Sequence, residues 1–152
     1  MKLIAKYIVS LFVVGLSFTS ALAQVNGIAI AKIDTNAIRI GEQATIEIVF
    51  SCNTKNLPAG KKIEVPQIDD TIRKEIEVVG KTKWATTPSK GSENTDFIQK
   101  ITITSFDSGF WVIPPFKFTL TGDSTPIAET NPLILEVRTV PTDTSESSLR
   151  DI

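Results

Sequence analysis

Apolar and polar residues alternate along this chain with a period of two. "ATIEIVFSC" sets Ala44, Ile46, Ile48, Phe50 and Cys52 on one face and Thr45, Glu47, Val49 and Ser51 on the other, as in a strand with one face in a core. "FIQKITIT" puts Phe97, Ile101 and Ile103 on one side, and "LILEVRTV" sets Leu133, Leu135 and Val137 against Glu136 and Arg138. "EIEVVG" alternates in the same way through Ile76 and Val78. Turn formers separate these runs: Asp34-Thr35-Asn36, Gly41-Glu42, Asn56 to Gly60, Gly80, Pro88 to Asn94, Asp107-Ser108-Gly109 and Gly122-Asp123-Ser124. Beyond the leader, no segment keeps a helical apolar pattern over three turns.

Short strands at regular spacing with no helix between them predict an all-β fold, an immunoglobulin-like antiparallel β-sandwich of about seven strands. The first strand is expected at Gly27 to Ile33, breaking at Asp34-Thr35-Asn36 and resuming at Ala37 to Ile40. A split of this kind lets a chain pass from one sheet to the other. A long strand ending near Cys52 follows, then strands near Lys62 to Val65, Glu75 to Val79, Lys81 to Thr86, Asp96 to Phe106, Phe110 to Leu120 and Asn131 to Val140.

The first residues read differently. Lys2 and Lys6 precede an apolar run from Tyr7 to about Phe18, and Ala21-Leu22-Ala23 precedes Gln24: the three parts of a secretory signal peptide cleaved after Ala23. An uncleaved anchor is the competing reading, but the apolar run falls short of the roughly 20 residues that span a bilayer. The residue directly after the cleavage point is Gln24 and not cysteine, which argues against lipid attachment there. The expected organisation is a signal peptide over 1–23, a sandwich domain over 24–140 and a polar linker over 141–152, "PTDTSESSLRDI", whose hydroxyls and charges cannot bury enough apolar surface to fold.

Loss of the leader removes two lysines, so 16 basic against 17 acidic residues become 14 against 17, a net charge of −3. Such mild acidity offers no basic footprint for nucleic acid or anionic lipid. The single cysteine, Cys52, cannot form an internal disulfide. Its register with Ile46, Ile48 and Phe50 favours a buried thiol over an intermolecular bridge.

Candidate chemistry is sparse. The chain has no histidine, the usual general base and commonest metal ligand, and a buried thiol would lack both access and a partner imidazole. Asp69-Asp70 and the pair Glu75/Glu77 could in principle bind calcium or act as acid and base. Lys61, Lys62, Arg73 and Lys74 lie close by in sequence, and solvated loop and strand charges are the favoured account. No phosphate loop, zinc spacing or calcium loop is present. Neither catalytic residues nor cofactors are therefore expected.

The most informative stretch is "SFDSGFWVIPPFKF", Ser105 to Phe118. Gly109 follows a turn and is free to take a positive φ. Phe110, Trp111, Val112 and Ile113 show no clear alternation, whereas Phe116, Phe118 and Leu120 alternate against Lys117 and Thr119 after Pro114-Pro115. Proline has no backbone donor and is confined to sheet edges and bulges. One reading is a core strand with a built-in corner. The other is an exposed, proline-marked edge where Trp111, Pro114 and Pro115 dock a partner. Trp84, set among polar residues in "KTKWATT", is a second exposed-aromatic candidate against an equal claim to core packing.

The order of "NAIRIGEQATIEIVF", "EIEVVG", "SFDSGFWVIPPFKF" and "NPLILEVRTVPTDTSESSLRDI" resembles the amino-terminal β-domain of BatD-like proteins of bacterial oxygen-tolerance, or aerotolerance, operons, of the kind common in the Bacteroidetes. The most specific parts are Gly109 through Pro114 and the closing Val140 to Ile152. The resemblance implies an exported periplasmic domain without chemistry of its own, facing or anchored to the inner membrane. Its implied partners are inner-membrane von Willebrand A-type Bat proteins and an associated AAA-type ATPase system. Relatives of this kind continue into a membrane-spanning helix, so a membrane tether is expected beyond the C-terminus. The alternative is a stand-alone carbohydrate- or surface-binding sandwich in which Trp84 or Trp111 stacks on a sugar ring.

Overall fold

The computed structural model describes Val25 and residues 27–140; the leader and the 141–152 linker lie outside the described residues. The first sheet is built on two ten-residue strands, β3 (Gln43–Cys52) and β8 (Thr95–Thr104), paired antiparallel along their whole length from Gln43↔Thr104 to Cys52↔Thr95. The first strand, β1 (Gly27–Ile33), flanks β3, and β6 (Ile76–Lys81) and β7 (Ala85–Pro88) run one after the other along the far edge of β8. Short β5 (Thr71–Arg73) closes on β6.

The opposing layer consists of β2 (Ala37–Arg39), β4 (Ile63–Glu64), β9 (Gly109–Ile113), β10 (Lys117–Leu120), β11 (Ala128–Glu129) and β12 (Leu133–Arg138). Its two ladders run in the orders β2-β12-β9 and β11-β10-β4. The fold is an immunoglobulin-like β-sandwich of seven strand paths, β1–β2, β3, β4, β6–β7, β8, β9–β10 and β11–β12, with β5 as a short addition. All pairings are antiparallel except that of β2 with β12.

The sheet-switching first strand is present as the sequence predicts, and Asp34 shows how it works. Its carboxylate accepts the N–H groups of Thr35 at 2.7 Å and Thr45 at 2.9 Å. A local side-chain acceptor of this kind competes with the ladder and turns the chain. β1 therefore stays with β3, while β2 crosses over to lie beside β12.

Between the layers, every inward residue of β3 is buried, Ala44, Ile46, Ile48, Phe50 and Cys52, together with Ile76, Ile101, Ile103, Ile113, Phe118 and Leu135. Phe50 stacks on Phe118 with ring centroids 4.4 Å apart, which joins the two sheets at their centre. Cys52 is free and buried, as its register predicts, and burial pushes its thiol above the ordinary range. Cys52 in the native protein is therefore expected to resist alkylation by iodoacetamide and to react fully in denaturant, as intact-mass measurement would show. A thiol that ionises later folded than unfolded contributes stability below its ordinary pKa, and that contribution is lost as pH rises through the folded value.

The sequence predicts one strand over Lys81 to Thr86, but β6 ends at Lys81 and β7 begins only at Ala85. Gln99 bridges the gap. It projects from β8 among apolar neighbours, is buried, and donates from Nε2 to the Thr82 carbonyl at 2.8 Å. Thr82 N–H also bonds the Lys100 carbonyl at 2.9 Å, so the edge strand bends around a side-chain bridge and resumes in pairing with β8.

Candidate functional site

The turn between β8 and β9 is fixed by Ser105, whose hydroxyl accepts the Asp107 N–H at 3.3 Å and donates to the Asp107 carbonyl at 3.1 Å. Gly109 follows at φ +148°, where a Cβ would lie 3.1 Å from the Trp111 ring. Only glycine combines that backbone conformation with that approach. Trp111 folds back over the turn and donates from Nε1 to the Asp107 carbonyl at 2.9 Å. It is half-buried against the core.

Pro114 and Pro115 then interrupt the strand without shifting its register. Ile113 lies opposite Leu133, and four steps further along both chains Lys117 lies opposite Glu129. β9–β10 and β11–β12 are thus one hairpin whose hydrogen bonds are suspended between Ile113 and Phe116. The same register sets Pro114 against Pro132. The ladder restarts where Thr130 N–H bonds the Phe116 carbonyl at 3.0 Å and Phe116 N–H bonds Thr130 Oγ1 at 3.0 Å. The corner reading of the diproline holds, since the inward positions switch from Trp111 and Ile113 before it to Phe116 and Phe118 after it, and β10 gains β4 as a second neighbour where β9 has β12 alone among the described residues.

The space opened at the corner is used by Asn131. Its amide donates from Nδ2 to the Ala31 carbonyl and accepts the Ala31 N–H through Oδ1, both at 3.1 Å. A side chain thereby supplies a pair of ladder bonds to the outer edge of β1 and ties the first sheet to the second.

Of the residues singled out in the sequence, Pro114 is exposed and Pro115 half-buried at this corner. Trp84 is half-buried, its ring edge-on to Phe118 with centroids 5.7 Å apart. Trp84 thus packs on the core at Phe118, while Trp111 caps the turn at the Asp107 carbonyl.

The apolar side chains that face water here are others. Phe110 is 71 % exposed, Val112 47 % and Ile134 60 %, and Val112 stands opposite Ile134 in the ladder. β9 alternates after all, with Phe110 and Val112 outward and Trp111 and Ile113 inward. Because all four residues are apolar, no polar partner marks the outward face in the sequence. Pairing with β12, which sets Glu136 opposite Phe110, is what assigns that face. Glu136 and Arg138 close that end of the patch. Hydrogen bonds at 2.9 and 2.8 Å from the guanidinium hold the Glu136 carboxyl below its ordinary range and raise Arg138 above its own.

Among the described residues, no group of three or more histidine, cysteine or acidic side chains is placed to hold a metal ion. No helix among them is long and apolar enough to cross a membrane. The chain matches no protein-family model and no curated protein sequence.

Proposed function

We propose that this chain is a non-catalytic interaction domain, exported to the periplasm, that works in a BatD-like, membrane-associated oxygen- or stress-tolerance complex. The observation that carries the interaction reading is the outward apolar row of Phe110, Val112 and Ile134. Contiguous apolar surface rimmed by charge is how soluble domains present a partner site. The BatD-like assignment draws its support from the resemblance of Gly109 to Pro114 and of the closing segment, and it names von Willebrand A-type membrane proteins and their AAA-type ATPase as partners.

A photo-crosslinker placed at Phe110 in cells is expected to capture von Willebrand A-type membrane proteins. Capture through a crosslinker at Val112 is expected to disappear when Phe110→Glu and Ile134→Lys are introduced. Recovery of no membrane protein from either position, or recovery indifferent to those substitutions, would overturn the reading.

A further inference from the structure

The apolar row lies beside a strand edge that pairs with no further strand among the described residues. In β12, Glu136 N–H bonds the Asn36 carbonyl at 2.8 Å and the Arg138 carbonyl accepts from Ile40 at 3.0 Å, so the backbone groups of these two residues point at β2. Backbone groups alternate sides along a strand, so those of Leu133, Leu135 and Val137 point at β9 and pair with Ile113, Trp111 and Gly109. Phe110 and Val112 therefore turn their N–H and C=O groups away from β12, toward the open side of the sandwich. Arg73 reaches across from β5 and donates from Nη1 to the Val112 carbonyl at 3.0 Å.

The edge is open because the chain leaves it. β4 pairs with β10 at Glu64↔Thr119, and continuation in that register would bring Thr71 opposite Val112. Pro66 intervenes, and Thr71 pairs instead with Glu77 in the other sheet. A shallow cavity of about 170 Å³, lined in part by Ile68, Ile72 and Phe116, lies along the departing segment. Exposed edges are ordinarily blunted with charge or proline. The other edge strands obey: β1 carries Lys32, β2 Arg39, β4 Glu64, β5 Arg73, β7 Pro88 and β11 Glu129. β9, Gly-Phe-Trp-Val-Ile, is the one edge strand among the described residues with neither.

We infer that the free edge of β9 binds an extended polypeptide segment of a partner by strand addition, with apolar residues at alternate positions and a carboxylate beside Arg73. The inference rests on the interaction reading above and specifies its mode. The incoming backbone bonds Phe110 and Val112, and its outward apolar residues extend the row of Phe110, Val112 and Ile134. As it takes over the Val112 carbonyl it releases Arg73, whose charge is met among the described residues by Glu75 at 3.4 Å. An acidic residue on the added strand completes that pairing.

The test is selection of a random linear peptide library, displayed on phage, against the purified protein. Selected peptides are expected to alternate apolar residues, to carry an acidic residue and to protect the Phe110 and Val112 amides from hydrogen exchange. Val112→Pro, which removes a donor on the free edge without touching the β12 ladder, is expected to weaken binding by about tenfold or more. Val112→Ala keeps the donor and is expected to stay within a few-fold. The intact protein provides a second check, because N-methylation of alternate peptide amides should abolish binding in only one of the two phases. Binding lost with Phe110→Glu but untouched by Val112→Pro would overturn strand addition and leave the interaction reading standing. Failure to select any peptide would also overturn it. So would concentration-dependent dimerisation relieved by Val112→Pro, which would make the occupant a second copy.

Discussion

Phe118→Ala is expected to lower the free energy of unfolding by about 3–5 kcal/mol, the range for removing a large aromatic from a packed core. Phe118 is fully buried on β10, stacks on Phe50 of β3 at 4.4 Å and receives the edge of Trp84 at 5.7 Å. It is the place where the second sheet meets the centre of the first. Truncation forfeits the transfer energy of the ring, leaves a cavity between layers that two-sided strand pairing prevents from collapsing, and removes two aromatic contacts. In urea unfolding the midpoint should fall by at least about 1 M with unchanged slope. Phe110→Ala, the same chemical change at an outward position, should stay within about 0.5 kcal/mol. Equal effects at the two sites would mean that the sandwich is not closed over Phe118.

The contrast between those two phenylalanines also marks what the sequence makes legible. Phe118 alternates with Lys117 and Thr119, and that polar partner assigns its face without any structure. The same holds for Ile46, Ile48 and Phe50 against Thr45, Glu47 and Val49, where the half-buried Val49 is the only apolar outward residue. Phe110 has no such marker. A strand that is apolar on both faces hides its period, and only pairing with β12 shows which residues face outward. β5 and β11 have no counterpart among the expected strands for a related cause. They are three and two residues long and exist because longer neighbours offer them an edge, so their own side chains carry too little pattern. The break at Thr82 to Trp84 depends on Gln99, seventeen residues downstream, and no local propensity encodes it.

The diproline shows both limits at once. Its position and lack of donors predict a corner, and a corner is found. Its register could not be predicted, because a bulge and a register-preserving gap look identical in sequence. The gap has a consequence that a bulge would lack. Since Pro114 faces Pro132, two residues without donors share the interruption, and the next position outward, Asn131, is left with a side chain to spend on another strand.

Asn131→Asp is expected to cost about 2 kcal/mol at neutral pH, because Asn131 is itself exposed and water screens part of the introduced charge. The carboxylate can still accept the Ala31 N–H, but it sets an oxygen against the Ala31 carbonyl where Nδ2 now donates at 3.1 Å. Ala31 is buried, so its carbonyl loses a partner and gains a repelling charge. Asn131→Ala leaves both Ala31 groups without partners but adds no charge, and should cost about 1–3 kcal/mol. The pH dependence separates the two. The carbonyl beside the introduced carboxyl favours its protonated form, which raises its folded pKa above the unfolded value. Stability is then greatest below the unfolded pKa and is lost as pH rises through the folded one. Relative to the unsubstituted protein, Asn131→Asp should regain stability as pH falls from 7 toward the carboxylate range, whereas the deficit of Asn131→Ala should stay constant. Parallel pH profiles for the two variants would show that the Asn131 amide does not hold the edge of β1.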